Sequence, residues 1–202
     1  LSHELRPPLN VVLGFTQLIY RNPQLYGFQN WPESLMRDLV QVQRNAAFLS
    51  DLVNDIVDMA RVDALAMPIR REWVSPARLI AEVLDTVSSV AQQKGIALRQ
   101  DLRGPLPDLN VDPIRIRQVL FNLLTNAIRF TDSGSVTVSA TVEGEEVVVS
   151  VTDTGRGIAP EQLEGIFDEF LQVGRPKEGE DQGKGLGLAI AKRFVQLHGG
   201  RI

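Results

Sequence analysis

Two glycine clusters, Asp153-Thr154-Gly155-Arg156-Gly157 and Gly183-Lys184-Gly185-Leu186-Gly187-Leu188, decide how this chain folds. The first follows an alternating apolar run, which predicts a strand that delivers a carboxylate into a glycine turn. The second precedes a helical pattern, and glycines before a helix leave backbone N–H groups free to meet phosphate. An Asn-x-x-x-Asn helix precedes both clusters and Phe167-Asp168-Glu169-Phe170 lies between them, so the set predicts a nucleotide site. Its spacing fits neither the Rossmann nor the P-loop pattern.

The segment between the clusters, Leu171 to Gln182, combines glycine, proline and charged residues without apolar periodicity. We expect a mobile lid that is disordered without nucleotide and partly ordered with it. A loop without function would have a similar composition, so this signal alone does not discriminate.

Composition limits the class of protein. At 202 residues, of which 44% are hydrophobic and 23% charged, the chain is long enough for one ordinary domain and a smaller one. A net charge of -4 argues against a nucleic-acid partner. The absence of cysteine excludes disulfides and thiolate metal sites. No apolar run approaches the roughly 20 residues that span a bilayer, and the stop at Ile202, inside a predicted strand, indicates a fragment.

The N-terminal third carries two helices with coiled-coil periodicity. Apolar positions recur at alternating intervals of four and three from Leu5 to Ile19, where Thr16 is the polar member, and again from Leu35 to Ala60 after a break at Asn22 to Pro32. We call these positions the apolar seam; a 3.5-residue period is typical of bundled helices. Because a hairpin has little core of its own, we predict that two copies form a four-helix bundle. The alternative is a hairpin packed on its own domain.

His3 lies outside the apolar seam, so its imidazole is predicted to face solvent. Pro7 and Pro8 each remove a helical N–H and crowd the carbonyl four residues back, at His3 and Glu4. The loosened turn gives a ligand access to the imidazole, which has a reference pKa of about 6.5 and is mostly neutral and nucleophilic at pH 7. The carboxylate of Glu4 can accept the proton of one ring nitrogen while the other attacks.

After a linker at Met67 to Arg71, helices and strands mix. The cap signals Ser75-Pro76 and Asp112-Pro113 predict helices that run to Lys94 and to about Arg129. The other predicted elements are strands at Ile96 to Leu102, Ser135 to Val142 and Glu146 to Asp153, the last two joined in a hairpin at Glu143-Gly144, and helices at Glu161 to Phe170 and Leu186 to His198. Largely antiparallel strands with helices predict an α+β layer. His198 is predicted only to favour the helix dipole.

Five motifs, in order, resemble those of sensor histidine kinases. Ser2 to Asn10 resembles the H box, Asn122 to Thr131 the N box, Asp153 to Gly157 the G1 box, Phe167 to Phe170 the F box and Gly183 to Leu188 the G2 box. The resemblance covers nearly the whole chain. It implies a dimerisation and phosphoacceptor hairpin at residues 1–65, which forms a dimeric four-helix bundle. An α/β sandwich ATP-binding domain of Bergerat type, truncated before its closing strands, is implied at residues 69–202.

The resemblance also implies residue roles. His3 takes the γ-phosphoryl group of ATP and Glu4 helps to deprotonate it. Asn126 holds Mg²⁺, Asn122 lies beside the phosphates, and Asp153 accepts a hydrogen bond from the adenine amino group. The other residues implied in ATP binding are Arg129, Gly155, Gly157, Ile158, Phe170, Gly183, Lys184, Gly185, Leu186, Gly187 and Leu188.

Elementary chemistry agrees with these roles. A carboxylate at a strand end accepts from the amino group of adenine but would face an oxygen in guanine, so Asp153 distinguishes the two bases. Asn122 and Asn126 share one helical face and offer amide oxygens to a hard cation, while phosphates supply charge. The alternative is an exposed polar face. With Leu123-Leu124 and Phe130 predicted on the buried side, two inward-facing amides would be costly without a partner.

Three positions depart from the patterns of related proteins. Hydrolytic relatives carry a glutamate four residues before the Mg²⁺ asparagine; Asn122 cannot be a general base, so ATP should persist. Arg129 replaces the common lysine and, with Lys184, is a candidate to neutralise phosphoryl charge, unless both are solvated surface cations. Many members have threonine or asparagine at Pro7, thought to orient the water that dephosphorylates the regulator. Since proline has no such polar atom, we predict weak or absent phosphatase activity.

The predicted function is an ATP-dependent protein-histidine kinase that autophosphorylates His3 and passes the phosphoryl group to an aspartate of a response regulator in two-component signalling. A GHKL-type ATPase and a non-catalytic ATP-responsive dimeric scaffold are the alternatives. The expected partners are a second copy and a response-regulator receiver domain, without nucleic acid. A sensor domain is expected upstream. The fragment is predicted to be cytoplasmic; membrane attachment of the longer protein, the stimulus, the regulator's identity and transfer within or between protomers stay open.

Overall fold

The computed structural model describes residues 2–63, 67–171 and 185–202, with side chains omitted at residues 2–6 and 61–63. The chain separates into two compact units, Leu1–Met67 and Pro68–Ile202. The predicted lid, apart from Leu171, and the site candidates Gly183 and Lys184 lie outside the described residues. Within the described part, no helix is sufficiently long and apolar to be a membrane-spanning segment.

The first unit is a helical hairpin. Helix α1 (Ser2–Arg21) contains Pro7 and Pro8, as predicted, and is followed by a 3-10 helix (Pro23–Tyr26) and by α2 (Glu33–Asp63). Trp31 closes the connection: its side chain is buried, its Nε1 donates to the carbonyl of Ile19 at 3.0 Å, and the rings of Tyr26 and Phe28 pack against it.

The apolar seam of α2 is divided between two environments. Leu39 and Ala46 are 9% and 4% exposed, because they pack inside the hairpin. The alternate seam positions are 37–47% exposed within one chain; they are Leu35, Val42, Leu49 and Ile56. These two sets each repeat every seven residues, so the hairpin satisfies only half of the heptad pattern and leaves an apolar stripe uncovered.

The second unit holds the remaining elements. They are β1 (Glu72–Val74), α3 (Pro76–Gln93), β2 (Ile96–Leu102), β3 (Leu109–Val111), α4 (Pro113–Phe130), β4 (Gly134–Glu143), β5 (Glu146–Asp153), a 3-10 helix (Pro160–Gly165) and α5 (Gly187–Leu197). The predicted helices α3, α4 and α5 and the β4–β5 hairpin are confirmed to within a residue or two at their ends.

The main sheet has the order β2-β4-β5. Strands β2 and β4 are parallel, from Ile96 opposite Gly134 to Leu102 opposite Ala140, and β4 and β5 are antiparallel. A parallel pair needs a crossover connection, and here α4 lies in that connection. Two of the three strand pairs in the described part of the chain are antiparallel, so the expectation of largely antiparallel strands is confirmed, as is the α+β class.

The core of this unit lies between the sheet and helices α3 and α4. Val136, Val138 and Ala140 alternate along β4 and are at most 1% exposed. Ile80 of α3 and Leu124 of α4 are each 1% exposed in the same cluster. One apolar face of α4 is therefore fixed against the sheet, which leaves its other face available for a site.

Two features of the described elements differ from prediction. The helix expected from Glu161 to Phe170 is wrong: only a 3-10 helix at Pro160–Gly165 forms, and beyond it the N–H of Asp168 turns back to the carbonyl of Gly165 at 2.8 Å. The antiparallel pair β1 and β3 was not predicted, and β1 begins directly after the expected linker. Each of these strands has three residues, too few to show a period.

Candidate functional site

The candidate site is arranged around helix α4, and hydrogen bonds cap both ends of this helix. Asp112 Oδ1 accepts from the N–H groups of Ile114 and Arg115 at 3.0 and 3.3 Å, which satisfies the first turn. At the other end, Lys94 Nζ donates to the carbonyls of Ile128 and Arg129 at 3.0 and 2.9 Å. These caps hold the Asn122–Arg129 face in one position.

The first glycine cluster meets the C-terminal end of α4. The N–H of Arg156 donates to the carbonyl of Phe130 at 3.4 Å, and the N–H of Gly155 donates to Asp153 Oδ1 at 2.8 Å. A Cβ on Gly155 would collide with the Phe130 carbonyl oxygen and lie 2.8 Å from Asp153 Oδ1. Glycine is therefore required for the close approach that places the exposed carboxylate of Asp153 beside the end of α4.

The second glycine cluster meets the middle of α4. Asn122 Nδ2 donates to the carbonyl of Gly187, the first residue of α5, at 3.0 Å. Leu186 anchors this start in the core, since its side chain is 0% exposed and its carbonyl accepts from the N–H of Ile190 at 2.9 Å. The N-terminus of α5 thus lies beside Asn122, and Asn126 lies one helical turn further along the same face of α4.

The end of the F box contacts the second glycine cluster through backbone. The N–H of Phe170 donates to the carbonyl of Gly185 at 2.9 Å, and a Cβ on Gly185 would lie 2.8 Å from the carbonyl carbon of Phe170. Gly185 has a φ of 68°, which also favours glycine. Phe170 itself has a φ of 61° and a side chain that is 60% exposed. Both residues border the segment predicted to be the lid.

An aromatic ring and two cations lie at the C-terminal end of α4. The guanidinium groups of Arg129 and Arg156 lie 5.2 and 4.9 Å from the centre of the Phe130 ring. Phe130 is 36% exposed, so the prediction that it lies on the buried side of α4 is wrong. Arg156 was not among the predicted site residues, and only its position inside the glycine cluster could have suggested it.

The structure brings together most of the predicted residues of the second unit. Asn122, Asp153, Gly155 and Gly187 lie in direct contact with α4 or with one another through the contacts above, whereas Gly185 bonds to Phe170. Ile158 is exposed, Gly157 has open space where a Cβ would lie, and Leu188 is half-buried at the start of α5. His3 and Glu4 belong to α1 of the other unit, and their side chains are outside the description.

The donor set fits a magnesium ion held together with phosphates. Among the described residues there is no group of three or more His, Cys, Asp and Glu side chains that could hold a metal by itself. Asn126 is a half-buried neutral amide one helical turn beyond Asn122, which bonds to the first residue of α5. Mg²⁺ is commonly bound by one or two protein oxygens with substrate phosphates and water supplying the rest. Such an ion would therefore be held by Asn126 only with nucleotide present.

His198 has a different role from the predicted one. It follows the last residue of α5, and its Nε2 accepts a hydrogen bond from the N–H of Asp112 at 2.9 Å. A ring nitrogen that accepts cannot carry a proton, so His198 is neutral in this contact. The expectation that it only favours the helix dipole, which needs a cation, is wrong.

Comparison with known proteins agrees with this geometry. Residues 1–65 match the His Kinase A (phospho-acceptor) domain, and residues 111–202 match the family described as histidine kinase-, DNA gyrase B- and HSP90-like ATPase. An uncharacterised sensor-like histidine kinase of Rhizobium meliloti is 34% identical over all of this chain and 38% of its own length. Sensor protein TorS of Escherichia coli is 36% identical over all of this chain and 21% of its own length.

Solved structures give the same result. The full-length structure of ShkA in complex with AMPPNP superposes with a TM-score of 0.77 and 34% identity, over 96% of this chain and 39% of that one. The histidine kinase AdeS of Acinetobacter baumannii superposes with a TM-score of 0.65 and 25% identity, over 96% of this chain and 86% of that one. The chain spans well under half the length of the two sequence relatives above. It belongs to the sensor histidine kinases and contains their phosphoacceptor hairpin and ATP-binding catalytic core.

Proposed function

We propose that this chain is an ATP-dependent protein-histidine kinase that phosphorylates His3 and then donates the phosphoryl group to an aspartate of a response regulator. The observation that carries the proposal is the bond from Asn122 Nδ2 to the carbonyl of Gly187. It joins the N-box helix to the start of the G2-box helix. In this bond the amide nitrogen of Asn122 donates to the protein backbone. The amide oxygen of Asn122 is too weak a base to activate water.

The arrangement separates the two ends of the nucleotide. Asp153 lies at the end of β5, where it would accept from the adenine amino group. The phosphates would lie toward the N-terminus of α5, since its free N–H groups and dipole favour anions. Asn126 would hold Mg²⁺, which neutralises charge on the phosphates when bound, and Arg129, on the same helix, is the proposed cation of this protein that would assist.

The chemical step would take place at His3. One ring nitrogen of His3 bonds to the γ-phosphorus while the bond from that phosphorus to the β,γ-bridging oxygen breaks, and ADP leaves. The proton of the other ring nitrogen passes to Glu4. Because Asn122 cannot deprotonate water, the imidazole is the stronger nucleophile available. The phosphoryl group on His3 then passes to the carboxylate of the receiver domain's aspartate.

The proposed enzyme is a homodimer through its hairpin. The exposed stripe of α2, formed by Leu35, Val42, Leu49 and Ile56, has the seven-residue spacing that a second hairpin would bury. A response-regulator receiver domain is the proposed second partner, because the family pairs the phosphoacceptor hairpin with such a substrate.

The proposal is tested by following the γ-phosphate of labelled Mg-ATP. We expect label on the protein that is lost in acid and stable in base, with mass spectrometry placing it on His3. His3→Gln should remove the label and leave nucleotide affinity within about twofold, since the nucleotide contacts are in the other unit. Label that persists in His3→Gln would place the acceptor elsewhere. Free phosphate without labelled protein would indicate an ATPase, and neither product would indicate a scaffold.

A further inference from the structure

Two hydrogen bonds in the described part of the chain join α4 to the two ends of α5. The near clasp is the bond from Asn122 to the carbonyl of Gly187, and the far clasp is the bond from the N–H of Asp112 to Nε2 of His198. The two clasps lie ten residues apart along α4 and eleven apart along α5, which is about 15 and 16 Å at the α-helical rise. The helices are therefore antiparallel and fixed in one register at both ends of their contact.

We propose that His198 is a positioning residue for the phosphate end of the ATP site. The proposal rests on the proposed nucleotide orientation, in which the phosphates lie at the N-terminus of α5 and the adenine lies at Asp153. His198 contacts neither end. It acts through α5, because it fixes the C-terminal end of the helix whose N-terminal end meets the phosphates.

The hydrogen bonds of His198 allow only one state of its ring. Nδ1 lies 2.7 Å from the carbonyl of Phe194, so it must donate, and Nε2 must accept from the N–H of Asp112. One neutral tautomer satisfies both contacts. Charged groups are bound to the neighbouring residues: the guanidinium of Arg71 donates to the carbonyl of Leu197 at 3.1 Å, and that of Arg115 lies over the Phe194 ring.

The far clasp is a buried contact, because Asp112 makes further hydrogen bonds with its carboxylate and is nearly inaccessible to solvent. Asp112 is 5% exposed, and its Oδ2 accepts from the N–H of Arg70 at 3.0 Å while its Oδ1 caps α4. Phe194, one turn before His198, is 0% exposed. Without an acceptor at position 198, the buried N–H of Asp112 would lose its partner, and the contact between the ends of the two helices would loosen.

The effect on the site is expected to depend on which nucleotide is bound. A shift of α5 moves its first N–H groups relative to Asn126, where the terminal phosphate would lie. Asp153 is on β5 and keeps its bond to Gly155, so the adenine contact does not depend on α5. Loss of the far clasp should therefore weaken the binding of Mg-AMPPNP more than the binding of Mg-ADP.

The test compares His198→Leu with His198→Gln in the whole chain. The amide of glutamine reaches the position of Nε2 and offers one acceptor and one donor, whereas leucine offers neither. For His198→Leu we expect the dissociation constant of Mg-ADP divided by that of Mg-AMPPNP to fall by about three- to tenfold. The loss is smaller than the full effect of leaving a buried N–H without a partner, because only part of that effect reaches the phosphate end of the site. His198→Gln should restore the ratio to within about twofold of the wild type.

Ile80→Val is the control for destabilisation alone, since it removes one methylene group from the core and no hydrogen bond. It should leave the ratio unchanged. An equal loss of affinity for both nucleotides in His198→Leu, or an unchanged ratio, would overturn the positioning role. Both readouts are binding measurements, so they stay informative even if the kinase reaction itself is not found.

A second measurement needs no variant and covers the case in which His198→Leu does not fold. Hydrogen exchange of the Asp112 amide in the wild type reports directly on the far clasp. Mg-AMPPNP should slow this exchange at least about threefold more than Mg-ADP does, because binding and clasp formation are linked. Equal protection by the two nucleotides would contradict the proposal.

Discussion

At the scale of single residues, the proposed nucleotide site assigns separate tasks to the two oxygens of Asp153. Oδ1 accepts from the N–H of Gly155 at 2.8 Å, and the side chain is otherwise exposed. The first bond shapes the glycine turn, so the second oxygen is available to the adenine amino group. An Asp-to-Asn change separates these tasks, because the amide can keep one acceptor for Gly155 but must then present its NH₂ group to another donor.

We predict that Asp153→Asn lowers the affinity for Mg-ATP by at least about tenfold. The thermal unfolding midpoint should change little, since the bond to Gly155 is retained. Calorimetric titration with AMPPNP measures the first effect and a thermal scan the second. Asp108→Asn, an exposed carboxylate just before β3, is the matched control. Unchanged affinity in Asp153→Asn would contradict the adenine role.

Pro7 gives a second prediction at this scale. It is exposed in α1 and has no hydrogen-bonding side-chain atom. We predict that the chain, with ADP or AMPPNP bound, does not accelerate the loss of phosphate from a phosphorylated cognate regulator. Pro7→Asn should introduce a measurable acceleration, while Pro8→Asn should not. Clear acceleration by the wild type, measured as loss of label from the regulator, would show that another group orients the water.

Helices α3 and α4 are linked at the element scale by a charged network. Glu82 of α3 accepts from Arg78 of the same helix and from Arg117 of α4, each at 2.8 Å. The hydrogen bond from Arg78, assisted by that from Arg117, holds the pKa of Glu82 below its ordinary value of 4.5. A carboxylate with a lowered folded-state pKa stabilises the fold above its unfolded-state pKa, and the stabilisation is lost as pH falls through the folded-state value.

We therefore predict that the free energy of unfolding of Glu82→Gln falls less steeply than that of the wild type as the pH is lowered from about pH 5. Above that window the variant should be slightly less stable than the wild type, and below it the two should converge. Because the network is well exposed, the effect is small and should weaken in high salt. Denaturant titrations across the pH range measure it, with Glu145→Gln in the β4–β5 turn as control. Parallel pH curves for wild type and Glu82→Gln would contradict the assignment.

The elements that could be predicted are those with local signals. The cap of Asp112, the proline after it and the apolar face of α4 are all visible in the sequence, and the structure has that helix. The helix predicted from Glu161 to Phe170 was wrong although Leu163, Phe167 and Phe170 have helical spacing. The chain turns at Gly165, and Phe170 adopts a φ of 61°. The bond from Asp112 to His198 spans 86 positions, and no local pattern reports such a contact.

At the scale of the whole molecule, the hairpin of the proposed dimer requires a second copy to cover its apolar stripe. The second unit buries a core between its helices and sheet, whereas α2 leaves Leu35, Val42, Leu49 and Ile56 at 37–47% exposure. The sequence predicted this requirement through its heptad pattern. It could not show which heptad positions the hairpin uses internally, because that depends on how α1 and α2 face each other.

We predict that Leu49→Asp raises the dissociation constant of the dimer by at least about a hundredfold, because it places a charge from each copy in an apolar contact. Ala47→Asp adds the same charge at an exposed position pointing away from the stripe, and should leave the dimer intact. Light scattering with size-exclusion chromatography distinguishes the two. Dissociation by both variants, or by neither, would contradict a bundle built on this stripe.

The central claim is that ATP bound between α4 and α5 transfers its γ-phosphoryl group to His3 and is not hydrolysed, because Asn122 stands where a general base would be needed. A single-turnover experiment with the dimer and substoichiometric γ-labelled Mg-ATP tests it most directly, by measuring phosphate on His3 and free phosphate over time. The account predicts that label appears on His3 at the rate at which ATP is lost, with free phosphate following only as the phosphohistidine decays. Free phosphate that appears at the rate of ATP loss, with His3 unmodified, would contradict it.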